Sequence, residues 1–159
     1  MTLAVGDRAP PFVALDQNGR EVRSSDFAGR RFVLYFYPAD NTTICTIEAC
    51  TFRNEANDFE ALDVPVVGVS HDSVESHRAF AARYRLPFTL LADPDRAIIK
   101  AYDAHGFLGR TNRTTYIIGP DGRIEGVRRA ELSGKGHVEW AKGRLATLRT
   151  PAPAALGPR

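Results

Sequence analysis

Cys45 and Cys50 are the only cysteines in a chain of 159 residues, and they stand five positions apart. Two thiols this close can act as nucleophile and partner, share a metal, or simply pack as small apolar side chains. Their number excludes a secreted disulfide scaffold and a four-cysteine zinc site. A zinc site completed by His71 and His77 stays open, although the cysteine separation is an unusual ligand spacing. A Cys-x-x-Cys oxidoreductase motif is excluded by the spacing as written.

The elements around the pair set its chemistry. Phe32 to Tyr37 is apolar throughout, which predicts a central strand buried on both faces. Pro38 stops it, a polar loop runs from Ala39 to Thr43, and a helical segment is predicted from about Cys45 to Leu62. Val64 to Val69 is a second strand, and the three pieces make a right-handed parallel βαβ unit. Cys45 then falls at the junction of strand and helix, at the carboxyl edge of the sheet where sites form. Free N–H groups at a helix N-terminus favour the thiolate. Lowering a thiol from about 8.5 to about 6 takes roughly 3.4 kcal/mol, and a helix end supplies about 0.3–2 kcal/mol. A cationic partner is therefore needed, and the chain offers several arginines.

Cys50 lies in the same helical segment. Five helical residues separate the two by roughly 7.5 Å along the axis and some 140° around it, whereas a disulfide needs Cα atoms within about 7 Å and facing Cβ vectors. Either the pair never bonds, or this turn of helix unwinds when it does.

Elsewhere, Phe12 to Leu15 and Glu21 to Arg23 flank Asn18-Gly19, which predicts a hairpin. A helix is predicted from Asp72-Ser73 to Tyr84, broken at Leu86-Pro87, and a short one from Asp93-Pro94 toward Tyr102. Thr115 to Ile118 and Arg123 to Arg128 read as a second hairpin across Pro120-Asp121-Gly122. A last helix runs from about Lys135 to Leu148, with Val138, Ala141, Leu145 and Leu148 on one stripe and Trp140 packing beside it. Strands mixed with helices around a βαβ centre predict an α/β sandwich. Residues 1–149 read as a single domain and 150–159 as a flexible Pro/Ala-rich tail.

Net charge is +2 and no basic run carries interleaved aromatics, so nucleic acid is not an expected partner. The longest apolar run is far short of the roughly 20 residues that cross a bilayer, and the first residues do not read as a signal peptide. The expectation is a soluble protein of the cytoplasm, where thiols stay reduced.

The segment from Tyr35 to Arg53 resembles the active-site segment of a peroxiredoxin, of the peroxiredoxin Q or bacterioferritin comigratory protein subfamily. Pro38, Thr42 and Cys45 match its Pro-x-x-x-Thr-x-x-Cys motif, and Cys50 matches its resolving cysteine. Gly68 to His77, Leu86 to Pro94 and Arg113 to Ile118 are similar to further blocks of the family, so that the resemblance spans residues 3 to 148. It implies a thioredoxin-like fold, with a central mixed sheet flanked by helices and an N-terminal hairpin. It also implies a thiol peroxidase of the atypical two-cysteine type. Cys45 attacks a hydroperoxide and becomes a sulfenic acid, while Thr42 and Arg113 hold the peroxide and Pro38 shields the thiolate. Glu48 supports the hydrogen-bond network; by itself it would read as a solvated helix acid. Cys50 closes an intramolecular disulfide, and thioredoxin or a comparable dithiol reduces it. The resemblance calls for no cofactor and no metal, and for a monomer or weak dimer.

Two departures stand out. Thr43-Ile44 replaces the family's Pro-Gly, and since Ile44 does not share glycine's freedom at positive φ, the loop is expected to differ in shape. Gly119 stands where an aspartate often follows the strand. His71 and His77 receive no catalytic role, and Arg53 and Arg110 read equally as supporting charges or as surface. A redox sensor using the same pair without turnover is the alternative function, and a domain whose cysteines merely pack is the third.

Overall fold

The apolar run starting at Phe32 becomes the middle of a seven-stranded sheet in a computed structural model of the chain, which describes residues 3–149. Strand β3 (Phe32–Phe36) runs parallel to β4 (Val66–Ser70) and antiparallel to β6 (Thr114–Ile118). β4 is parallel to β5 (Thr89–Ala92), and β6 is antiparallel to β7 (Ile124–Arg129). The N-terminal hairpin, β1 (Val13–Leu15) with β2 (Glu21–Arg23), joins the far edge through Leu15 opposite Ala92. The order is β2-β1-β5-β4-β3-β6-β7 among the described residues.

All five residues of β3 are buried because the strand feeds two apolar layers. Val33, Tyr35 and then Tyr37 pack with helices on one face, and Phe32, Leu34 and Phe36 fill the other. The alternation of side chains along a strand makes this possible, and it is why the run shows no polar residue. Tyr35 stacks on Tyr37 and Phe52 at centroid distances of 5.4 and 4.7 Å. Its ring lies over Gly68, where a Cβ would come within 2.8 Å of it.

The first helical segment differs from the prediction. It begins at Thr43 and is broken, α1 being Thr43–Asn54 and α2 Ala56–Ala61, with Glu55 between them at φ −98°, ψ 10°. Lys142 explains the location of the break. Its ammonium bonds Glu55 at 2.9 Å and Asp58 at 2.8 Å, pinning the kink to the last helix. Helix α3 (Val74–Tyr84) is capped by Ser73, whose hydroxyl accepts from the Ser76 N–H. Helix α4 (Ala97–Ala101) is shorter than predicted; Asp93 instead spends its carboxylate on the Ile98 and Ile99 N–H groups across a left-handed Arg96. Strand β5 has no counterpart in the prediction, since four residues between two prolines show too little periodicity to read.

Helix α5 (Gly134–Arg149) buries Val138, Ala141 and Leu145, with Trp140 and Leu148 packed beside them. Short 3-10 helices at Ser24–Phe27 and Phe107–Gly109 complete the described chain. The tail from Thr150 lies outside the described residues, as do Met1 and Thr2. Among the described residues no helix is long and apolar enough to cross a membrane.

Candidate active site

Strand β3 delivers the chain through Tyr37 to Pro38, and the loop it enters turns back at Asn41, the residue that takes a positive φ of 63°. Asparagine tolerates that conformation. Thr42 is the N-cap of α1, its hydroxyl turned to the Ala39 carbonyl at 2.9 Å. Ile44 is the second residue of α1, so the expected change of loop shape at Thr43-Ile44 does not arise from a strained isoleucine. Cys45 follows in the first helical turn and is 1% exposed.

The cation beside the thiol is Arg113, which stands immediately before β6. Its Nη2 donates to Cys45 Sγ at 3.2 Å and its Nη1 to Glu48 Oε1 at 2.6 Å, so one planar fork spans both side chains. The fork is aimed by Glu131, whose carbonyl accepts from Nε at 3.3 Å and whose carboxylate accepts from the Arg113 backbone N–H at 3.0 Å. Arg113 is itself 1% exposed.

Glu48 is not a solvated helix acid. It is fully buried, and its Oε2 has no hydrogen-bond partner. Burial raises its pKa to about 8 against the opposing pull of Arg113. Below that pH the carboxyl is largely neutral, which leaves the guanidinium charge to the sulfur. Gly134, at the start of α5, lies against the same turn: a Cβ there would sit 2.7 Å from Glu48 Cβ and 2.9 Å from its backbone nitrogen.

Cys45, Arg113 and Glu48 are thus brought into direct contact, with Thr42 and Pro38 on the adjoining loop. Cys50 is half-buried in the same uninterrupted helix, and both thiols are free. Arg53 instead bonds the Tyr84 carbonyl and Asn54, and Arg110 is exposed. At Gly119 a Cβ would come within 2.6 Å of the Glu125 carboxyl that pairs with Arg31, so an aspartate there would have to displace that side-chain end. Neither cysteine belongs to a group of potential metal ligands among the described residues; the one such group is Asp40, Asp72 and His77.

Glu131 and His137 escape sequence reasoning, since nothing local marks a loop acid as the anchor of a distant arginine or a helix histidine as buried. His137 is fully buried, between Thr115 Oγ1 at 2.8 Å and the Ala130 carbonyl at 2.7 Å, and burial lowers its pKa to about 4. The burial of Glu48 and that of His137 act oppositely on stability. His137, depressed in the fold, contributes stability above about 6.5 that is lost as pH falls toward about 4. Glu48, raised in the fold, contributes stability below about 4.5 that is lost as pH rises through about 8. Thermal stability is therefore expected to be flat between these effects in mild acid and to fall by about 4–8 °C from pH 6.5 to 8.5. Calorimetry across that range checks it, and Glu48→Gln should abolish the alkaline decline.

Comparison with known proteins agrees with this geometry. Residues 5–127 match the AhpC/TSA family. The chain is 40% identical over 146 residues to the chloroplastic peroxiredoxin Q of Sedum lineare, covering 91% of this chain and 78% of that protein. A cysteine-to-serine mutant of PrxQ from Xylella fastidiosa superposes with a TM-score of 0.89 at 30% identity, over 94% of this chain and 99% of that one. A bacterioferritin comigratory protein from Xanthomonas campestris, studied for alkyl peroxide reduction with a trapped intermediate and ligand, gives a TM-score of 0.82 at 27% identity, over 87% and 92%. The mixed sheet and its helices are the thioredoxin-like fold of these proteins. The chain belongs to the AhpC/TSA family, in the branch of peroxiredoxin Q and the bacterioferritin comigratory proteins, and is thereby a thiol peroxidase.

Proposed function

We propose that this peroxidase reduces hydrogen peroxide and organic hydroperoxides through a sulfenic acid on Cys45, resolved by Cys50. The observation that carries the reading is the Arg113 fork, 3.2 Å from a sulfur in the first turn of a helix that also holds the second thiol. The Cys45 thiolate attacks the terminal peroxide oxygen, the O–O bond breaks, and the leaving alkoxide takes up a proton as alcohol. Thr42 and Arg113 hold the peroxide in line and stabilise the charge that develops on it, and Pro38 keeps water from the sulfur. The Cys50 thiol then displaces water from the sulfenic acid to give the disulfide, once α1 has unwound between them. A dithiol protein of the thioredoxin type restores both thiols by exchange, in a reducing compartment such as the cytoplasm. Organic hydroperoxides are included because the Xanthomonas relative was studied for alkyl peroxide reduction. The working unit proposed is a single domain, as a monomer or weak dimer.

The test is a stopped-flow peroxide titration of the reduced protein followed by mass analysis. Wild type is expected to consume one equivalent and gain a Cys45–Cys50 disulfide, and to cycle when thioredoxin and its reductase are supplied. Cys45→Ser should lose the reaction with its fold intact, and Cys50→Ser should react once and then wait for an external thiol. A wild type that reacts once and stalls beside a working reductant would favour the sensor instead. A Cys50→Ser protein that cycles undiminished would remove Cys50 from the resolving step.

A further inference from the structure

The loop from Pro38 to Thr42 carries one residue proposed to hold the peroxide, Thr42, and one proposed to keep water from the sulfur, Pro38. Its last tie to the sheet ladder is the Tyr37 N–H on the Val69 carbonyl. Beyond that point it is held through one residue. Asp40 is 7% exposed, and its carboxylate accepts from the Tyr37 hydroxyl at 2.6 Å and from the Ser76 hydroxyl at 2.8 Å. The oxygen that takes Ser76 also meets His77 Nδ1 at 2.7 Å. The Asp40 backbone N–H donates to Asp72 Oδ2 at 2.8 Å, an oxygen that also accepts from the Ser70 hydroxyl. Fully buried His77 reaches on to the Leu91 carbonyl, 2.9 Å from its Nε2. Through Asp40 the loop is fastened to the end of β4, to α3 and to β5.

The donors and acceptors fix where the protons are. A carbonyl oxygen only accepts, so His77 Nε2 carries a hydrogen. Two hydroxyls already donate into Asp40, the pattern of a carboxylate and not of a carboxylic acid. The one proton left between Asp40 and His77 therefore lies on Nδ1, and the two side chains form a buried ion pair with every polar atom engaged. Replacing such a pair by apolar side chains of similar size is often neutral or stabilising. His77 shares its helix with buried Phe80 and Ala81, in the company of the apolar core. Stability alone is thus a poor reason for a charge pair here, whereas a fixed direction is something only hydrogen bonds provide.

We propose that the Asp40–His77 ion pair is a positioning device for the peroxide-receiving loop, setting where Pro38 and Thr42 stand relative to the Cys45 sulfur. The inference rests on the reading of Cys45 and Thr42 given above. Both residues act through the loop, so they are positioning residues and not catalytic ones.

The test compares two reactions of the same sulfur in the full-length reduced protein. One is the rate with hydrogen peroxide, which needs the loop; the other is alkylation of Cys45 by iodoacetamide, which does not. Asp40→Asn is expected to lower the peroxide rate by about 10- to 100-fold and to leave alkylation near the wild-type rate. His77→Gln should show the same selective loss, and the double variant should be no slower than the slower single, because the pair works as a unit. Ser76→Ala removes one bond to Asp40 and keeps both charges, so it should give a smaller loss of the same kind. In the wild type, the nitrogen NMR shifts of both His77 ring nitrogens should lie in the protonated range. Parallel losses in the two reactions, independent effects of the two substitutions, or a neutral His77 ring would each overturn the clamp. A wild type no faster with peroxide than a free thiol would overturn the function proposed above and the clamp with it. A fast wild type matched by Asp40→Asn would overturn the clamp alone.

Discussion

Arg113→Lys is expected to slow the attack of Cys45 on peroxide by about 10²- to 10³-fold and to destabilise the fold by about 1–3 kcal/mol. The guanidinium serves the sulfur at 3.2 Å and Glu48 at 2.6 Å from separate nitrogens of one plane, while Nε is anchored on the Glu131 carbonyl. Lysine keeps the charge but brings a single ammonium on a flexible stem, without the fork. It can satisfy the sulfur or Glu48, not both in the same geometry. The Glu48 carboxyl already has one orphaned oxygen, and losing its remaining donor leaves a buried group with nothing to bond. Stopped-flow rates with peroxide and a denaturant titration measure the two effects. A variant that keeps wild-type speed would show that the peroxide is held from elsewhere.

Gly134→Ala should act from the opposite side, destabilising the fold by about 1–3 kcal/mol while speeding closure of the disulfide once Cys45 has been oxidised. The space for the added methyl is taken by the backbone of Glu48, which cannot swing aside as a flexible side-chain end could. Either the first turn of α5 retreats or α1 gives way, and the point of collision lies between the two cysteines. Strain there favours the unwound helix, and one to two kcal/mol shifts that balance by a factor of roughly 5–30. Trp140, the only tryptophan in the chain, packs on α5 against this layer and offers a fluorescence readout of the closing step. Unchanged stability together with an unchanged closing rate would dispose of the idea.

The sequence makes the strand-loop-helix around Cys45 legible because three strong signals coincide there: an unbroken apolar run, a proline and a polar loop. It also demands a cation, but only the family resemblance singles out Arg113 among 18 arginines. Burial of Glu48 could not be read, since a glutamate one turn past the cysteine looks the same in sequence whether it faces water or α5. Asp40 stands inside the motif and His77 keeps helical spacing with Phe80 and Tyr84, yet their pairing depends on α3 crossing beneath the loop, which no local pattern encodes. The break at Glu55 was hidden for a similar reason, as its cause, Lys142, lies 87 residues away.

Because β3 sends alternate side chains into two separate apolar layers, the chain has two reserves of stability of unequal duty. The layer of Phe32, Leu34 and Phe36 has no part in α1 and is not disturbed by the opening of that helix proposed above. The layer of Tyr35, Ala49 and Phe52 carries the helix and would have to loosen in the proposed disulfide step. Local opening free energies in a protein need not be uniform, and here the sheet itself divides them. In the catalytic cycle proposed above, one face would preserve the memory of the fold while the other melts and re-forms.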